Sequence, residues 1–484
     1  MSTPAPQPSR SRGIHANQLL LLAAAIINLA LLLVFSDGFA SLSLRMVATI
    51  MLVGEVVLGA LIARVDQRGV WSFPFLFYLI LAIFHSGLYL APALLNHAPL
   101  SLTQSDGLWY VSPQIERAGY LVAIGMACYA LGFALSGMLP QGRKDRRSDE
   151  GGASESAKTR DGIVDVGCAM VVACVGAWFA IGAISGGPFF FIGSYLSFLQ
   201  TTGGSALPWI YLGMAMGLTM CALDLNRGTG RVGIIAFALF SMPAFVLGLR
   251  GEVMFPAVAA MAVAGATRKI LSTRTFVLAC LIALLGISFV AQVRIAGISS
   301  VGSTEVVVSP IRAVEEMGYS VRPLTASIEW HEAGREPYLR GGTYIGPIDR
   351  QVNGLLGRPV PDATRDPRMM NVEIAERVGN IGGSIMAEAH HNWGGRGVGL
   401  VLLLVGGVSG RMFRPGMGPV GLAFSGVLAV LLLMHVRNSF APLPAWAAVG
   451  AFLVISGVLL GKLHTRTSQA QSTSRTPNRK RVTL

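Results

Sequence analysis

Twelve stretches of this 484-residue sequence are apolar for long enough to cross, or nearly cross, a hydrocarbon core, which takes roughly 20 residues of helix. They fall at 16–35, 42–63, 71–95, 118–139, 163–183, 207–223, 232–249, 253–267, 275–293, 397–410, 417–436 and 440–461. Runs of this kind constrain the fold strongly, because backbone polar groups in lipid must be satisfied within the protein, and a single segment achieves that as a helix. The runs at 253–267 and 397–410 are short and need tilt or flanking residues to span. The expected fold is therefore all-α, a polytopic membrane protein of about 12 transmembrane helices. Composition agrees: 52% hydrophobic residues, 13% charged residues and a mean hydropathy of +0.58 exclude an ordinary water-soluble domain.

The formal net charge of +13 invites a nucleic-acid partner, but the placement of the basic residues excludes one. The chain has five lysines, Lys144, Lys158, Lys269, Lys462 and Lys480, and all fall in alternate connections or the C-terminal tail. "GRKDRRSDEGGASESAKTR" (142–160), "RKILSTR" (268–274), "GRMFR" (410–414) and "RTPNRKR" (475–481) then mark the cytoplasmic side, with both termini on it. Reading the first run as a cleaved signal peptide would break this alternation, so it is read as a span. Cys128, Cys168, Cys174, Cys221 and Cys280 all sit inside predicted spans, so no disulfide framework is implied.

The expected organisation is a membrane domain over 1–293, a large periplasmic loop over 294–396 between the ninth and tenth spans, three last helices over 397–461, and a disordered cytoplasmic tail over 462–484. A Gly/Ser/charge-rich cytoplasmic linker occupies 140–162, and an uncharged aromatic segment at 184–206 suits the lipid interface. The 294–396 segment holds eleven arginines and twelve acidic residues but no lysine. Arginine gives planar bidentate recognition of phosphate or carboxylate. A chain with five lysines among 38 basic residues also carries arginine by composition alone.

Arginine recurs where topology disfavours it. Arg250 centres the tight turn "GLRGE" (248–252), Arg437 lies in the turn before the last span, and Arg294 and Arg396 flank the large loop. Each alone suits snorkelling, as do Arg45 and Arg117 near other outer ends; together the four form a candidate pyrophosphate-binding rim. "SIMAEAHHNWGGRGVG" (384–399) adds Glu388 and His391 at E-x-x-H spacing. Carboxylate-bridged metal sites need two such pairs and further glutamates on facing helices, and Glu55 is the other clear intramembrane carboxylate, so no metal is expected. Two readings stay open: Glu388 caps or pairs with an arginine while His390, His391 and Trp393 join an interfacial belt, or a carboxylate or imidazole there acts as general base.

These residues carry a resemblance. "GSIMAEAHHNWGGRGVGLVLLLVGG" (383–407) is similar to the segment that follows the large periplasmic loop in oligosaccharide repeat-unit polymerases of the O-antigen polymerase (Wzy) family. Glu388, Asn392, Trp393 and Gly394 match its pattern, while His390 and His391 replace tyrosine-like positions. "LGLRGEVMFPAVAAM" (247–261) and "YLRGGTYIGPI" (338–348) resemble the family's Gly-x-Arg turn and Gly-x-x-Tyr stretch, the latter bringing in Tyr344.

The resemblance implies transfer of an undecaprenyl-pyrophosphate-linked glycan to the non-reducing end of a new lipid-linked repeat unit, at the periplasmic face of the inner membrane. The transfer is inverting and needs no cofactor or metal, with a chain-length regulator and a flippase as expected partners. On this reading Arg250 binds the leaving pyrophosphate, with Arg294, Arg396 and Arg437 as further candidates; Glu388 is the base, with His391 next; His390, Asn392, Trp393 and Tyr344 support the acceptor glycan. A lipid-linked oligosaccharide flippase or other 12-span transporter, and an O-antigen ligase, are the alternatives. Transporters usually place ionisable groups at mid-membrane in repeated halves, whereas here charge gathers at helix ends.

Overall fold

The computed structural model describes residues 11–39, 42–99, 102, 107–138, 150–186, 206–267, 272–296, 308–362 and 365–474, and among the described residues there is no strand. Among the described residues, the long helices before the large loop are α1 (Ser11–Val34), α2 (Leu44–Val65), α3 (Phe73–Ser86), α4 (Gln114–Met138), α5 (Glu150–Gly186), α6 (Leu207–Cys221), α7 (Gly228–Val246), α8 (Arg250–Thr267) and α9 (Thr273–Ala296). Within the loop come α10 (Pro310–Met317), α11 (Arg322–His331), α12 (Gly342–Leu355) and α13 (Met370–Arg377); α14 (Ile385–Ser409), α15 (Pro419–His435) and α16 (Leu443–Ser474) follow.

Every one of the twelve apolar runs lies largely in one of these helices. Eight helical segments are long and apolar enough to cross a membrane, the third of them continuing α3 to Leu94, while α6 and α15 are shorter apolar helices. The remaining two, α8 and α14, have visible reasons for falling short. α8 begins on Arg250 and Glu252 and contains Pro256, and α14 spends its first two turns on polar residues before its apolar half. This is the helical architecture of a polytopic membrane protein.

α14 packs most extensively against α4. Gly132 and Gly406 lie at that crossing, where a Cβ on either would run into a carbonyl of the facing helix, so the small residues set the spacing. The 294–396 segment is a folded cap over its described residues. α10 rests on α9 and on the end of α3, and α11 rests on α14 and α4.

Helix also covers ground read from sequence as linker and tail. α5 starts at Glu150 and α16 continues to Ser474. The two pack side by side, burying Thr159, Ile163 and Val454, so tertiary contact supports the end of the stretch that composition marks as linker. The uncharged segment from 187 to 205 lies outside the described residues, as do 139–149 and 475–484.

Candidate active site

The site is built on the start of α14. Ser384 caps it, its hydroxyl oxygen accepting from the backbone N–H of Met386 at 3.2 Å and of Ala387 at 3.3 Å. The same hydroxyl donates to His85 Nε2 at 2.7 Å, and His85 Nδ1 donates to the Leu81 carbonyl at 3.1 Å, so α14 begins pinned to α3. Glu388, His390, His391 and Asn392 follow, each at most 2% exposed. Burying so many polar groups is costly unless each finds partners, and each does so in a different direction.

Asn392 holds a neighbouring turn. Its Oδ1 accepts from Gly341 N at 2.8 Å and Thr343 N at 3.3 Å, while Nδ2 donates to Thr343 Oγ1 at 2.6 Å and the Glu388 carbonyl at 2.8 Å. Immediately beyond, α14 breaks: Trp393 has φ −142° and ψ 15°, and Gly394 has φ 66° and ψ −156°. The break takes the carbonyls of His391 and Asn392 out of the helical ladder. They accept instead from Leu339 N at 3.2 Å and Arg340 N at 2.9 Å. Gly394 takes a left-handed φ, and a Cβ there would meet the Tyr338 ring. Trp393 stacks on Tyr344 with ring centroids 5.5 Å apart and planes at 14°. The two sequence stretches singled out separately, 338–348 and 383–394, are thus interlocked.

Asn392→Ala strips partners from two backbone N–H groups, the Thr343 hydroxyl and the Glu388 carbonyl. At about 1–3 kcal/mol for each buried group left unsatisfied, a loss of about 3 kcal/mol or more is expected, read as a lowered thermal midpoint of the detergent-solubilised protein. An unchanged midpoint would remove Asn392 as the clamp.

Glu388 is held at one oxygen. Its Oε2 accepts from the backbone N–H of Phe440 at 2.7 Å and from His435 Nε2 at 3.0 Å. Its Oε1 is buried with no hydrogen-bond partner, and so is the hydroxyl of Tyr344, whose ring lies edge-on to Phe440 at 5.1 Å and close enough to feel the Glu388 charge.

His391 points elsewhere. Its Nδ1 meets His331 Nε2 at 2.8 Å, and His331 Nδ1 meets the Glu336 carbonyl at 2.9 Å. A carbonyl only accepts, so His331 carries its proton on Nδ1, and neutral His331 accepts at Nε2 from His391 Nδ1. His391 Nε2 then faces Glu373 Oε2 at 3.1 Å, near enough for the two side chains to interact but not aligned as a hydrogen bond. The titration tendencies agree. Burial, with His391 beside it, depresses His331, favouring its neutral form. Burial raises Glu373, but His391 and Arg377 outweigh that and leave its carboxyl below the usual range. His390 is lowered to about 3, first by burial and then by His331 and Arg117; its Nδ1 pairs with Ser327 Oγ at 2.9 Å. The E-x-x-H residues therefore diverge, Glu388 toward α15 and His391 toward α11 and α13. Among the described residues no three His, Cys, Asp or Glu side chains converge as a ligand set for a metal.

Arg250 differs from Arg396 and Arg437 in burial. Arg250, 7% exposed, pairs through Nη1 with Glu316 Oε1 at 2.9 Å, while its Nε and Nη2 are buried without partners. Arg396 and Arg437 have exposed side chains. The Arg437 carbonyl, rather than its guanidinium, serves the site by accepting from Gly383 N at 2.8 Å. Arg294 lies in the last turns of α9, where side chains are outside the described residues. Within the cap, Arg350 pairs with Asp366, Arg368 with Asp349 and Asp366, and Arg377 with Glu336 and Glu373, so much of the arginine excess braces the cap itself.

His435, His331 and Glu373 were not singled out from sequence. His435 opens the very stretch read for Arg437, and a histidine ending an otherwise apolar helix was the available signal. His331 ends α11 within the 294–396 segment, outside the stretches read for the site. Glu373 carries no local signal, because its partner is distant in sequence.

Comparison with known proteins follows the same residues. The family model for O-antigen polysaccharide polymerase Wzy matches residues 21–461, nearly the whole chain, from within α1 to within α16. The chain belongs to the O-antigen polysaccharide polymerase Wzy family. Members of the Wzy family act on lipid-linked oligosaccharide repeat units in the membrane and join them into polysaccharide, so this is a multi-pass membrane protein with a polymerase activity of glycosyltransferase type. No curated protein and no solved structure matches the chain.

Proposed function

We propose that the chain polymerises polyprenyl-pyrophosphate-linked repeat units at the periplasmic face of the inner membrane, by inverting glycosyl transfer that uses no metal. All twelve apolar helices span on this reading, with both termini in the cytoplasm and the 294–396 cap outside. The observation that carries it is Glu388. Its carboxylate is buried, fixed at Oε2 by Phe440 N–H and His435, and without a partner at Oε1. A buried acceptor left unmet costs stability, and an acceptor-sugar hydroxyl would meet it.

The hydroxyl oxygen attacks the anomeric carbon of the donor glycan as the bond from that carbon to the pyrophosphate oxygen breaks. Glu388 Oε1 takes the hydroxyl proton. Undecaprenyl pyrophosphate leaves with the bonding electrons, and the Nε and Nη2 of Arg250 receive its charge. Inversion follows from a single displacement. His391 fits the base role less well, because its Nδ1 is bonded to His331 and its Nε2, though without a hydrogen bond, lies 3.1 Å from the Glu373 carboxylate. Tyr344, stacked on Trp393, offers its unpaired hydroxyl beside Glu388 to orient the acceptor. A chain-length regulator and a flippase supplying the units are the expected partners.

The test is deletion of the gene in its host, with analysis of surface glycan and lipid-linked intermediates. Loss of long chains with single repeat units retained on the surface is expected. Lipid-linked units accumulating on the cytoplasmic side with none outside would point to a flippase, and long chains still made but left on lipid would point to a ligase.

A further inference from the structure

A second cavity opens beside the relay of His331, His391 and Glu373. It has a volume of about 560 Å³ and lies between the short helix Gly107–Tyr110 with the start of α4, and α11 with the start and end of the 330–378 stretch. That is well within the range of about 300–1,000 Å³ for small-ligand clefts. Two tryptophans, Trp109 and Trp330, form part of its walls, and Arg322, Glu329, Glu336 and Arg377 supply polar lining. We infer that this cleft is a glycan subsite, holding a short oligosaccharide on the side of α11 and α13 to which His391, rather than Glu388, is turned. The inference deepens the proposed function by assigning where the sugar part of the substrate is gripped.

The chemistry of the walls selects the ligand. A pyranose presents an apolar face of C–H groups rimmed by hydroxyls, which suits flat aromatic walls beside planar hydrogen-bonding groups. Arg377 lies over the Trp330 ring with its guanidinium carbon 4.1 Å from the centroid, and Arg322 lies over Trp109 at 5.5 Å. Those cations hold the indoles upright. The indole N–H of Trp109 is buried without an acceptor, and the ring is held by Tyr110, Tyr319 and Arg322. Of the three arginines that line the cleft with Glu329 and Glu336, Arg377 is already paired with Glu336 and with Glu373, each at 2.7 Å. Arg250, on α8, has the unpaired nitrogens instead. Two substrate parts of different chemistry thus find two differently built places.

The cleft also touches the catalytic helix. Trp330 sits edge-on to His391 at 5.5 Å, Glu373 faces that histidine, and the Glu336 carbonyl holds His331. A sugar seated against Trp330 therefore presses on the residues that fix α14.

The probe is the repeat-unit oligosaccharide cut from the host's lipid-linked intermediates by mild acid, so that neither lipid nor pyrophosphate remains. Full-length protein in nanodiscs is expected to bind it saturably, followed by tryptophan fluorescence. Trp109→Ala should weaken binding about tenfold and raise the apparent KM for repeat units far more than it lowers kcat, whereas Trp109→Phe, keeping a flat face, retains most of the affinity. If Trp109→Ala fails to fold, Glu329→Gln on an exposed side chain serves, with about a threefold loss expected for one hydrogen bond. No binding to wild type, or wild-type affinity in both Trp109→Ala and Glu329→Gln, overturns the subsite. Binding without any polymerisation of lipid-linked units would instead overturn the proposed function and leave the subsite standing.

Discussion

Glu388→Gln is expected to lower the rate of glycosyl transfer about 10²–10⁴-fold, the range that a positioned general base contributes. Glutamine has the same shape and can still accept the Phe440 N–H, so the local fold survives. What it cannot do is take a proton at neutral pH. The measurement is polymer formed from lipid-linked repeat units in proteoliposomes, beside the thermal midpoint of the same preparation. A variant that folds normally and polymerises at the wild-type rate would sink the assignment. His391→Ala is the companion: because His391 is tied to His331 and Glu373, it should lower stability more than Glu388→Gln does, and act on rate only through the position of α14.

Arg250→Ala should cost about 10²–10³ in kcat, the scale seen when one donor to a developing negative charge is removed. Two nitrogens without protein partners in a buried guanidinium are the reason to expect an anion there. Arg250→Lys should recover only part of the loss, since an ammonium supplies charge without the planar fork. Arg250 also ties α10 to α8 through Glu316, so docking must be separated from chemistry. Glu316→Gln does this, because it breaks the ion pair and leaves the guanidinium. If Glu316→Gln loses as much activity as Arg250→Ala, the arginine acts by holding the cap and the pyrophosphate role fails.

The membrane helices were legible in the sequence because their signal is local: some twenty apolar residues announce a helix without reference to anything else. α8 and α14 were legible as runs but not as helices with charged or polar beginnings, since Arg250 and Glu388 contribute nothing to an apolar count. The cap was harder. Composition gave its arginines, yet only the folded chain matches Arg377 to Glu336 and Glu373, or Arg368 to Asp349. The candidate site divided along the same line. Glu388, Asn392 and Tyr344 belong to short patterned stretches and could be named in advance. His435, His331 and Glu373 act through partners some 18 to 60 residues away along the chain, a relation that no window on the sequence reports. For Arg396 and Arg437 the position at a helix end was visible in the sequence, but the exposure of their side chains was not.

The break at Trp393 and Gly394 has a consequence for exchanging parts between polymerases. Spare carbonyls on a membrane helix and the turn that docks on them form one unit written in two places, 338–344 and 384–394. A chimera that swaps the cap but keeps the host's own final helices would join halves that never co-evolved, and should assemble only when both stretches travel together. Specificity carried by the cap is therefore transplantable as a pair of segments, never as a single insert.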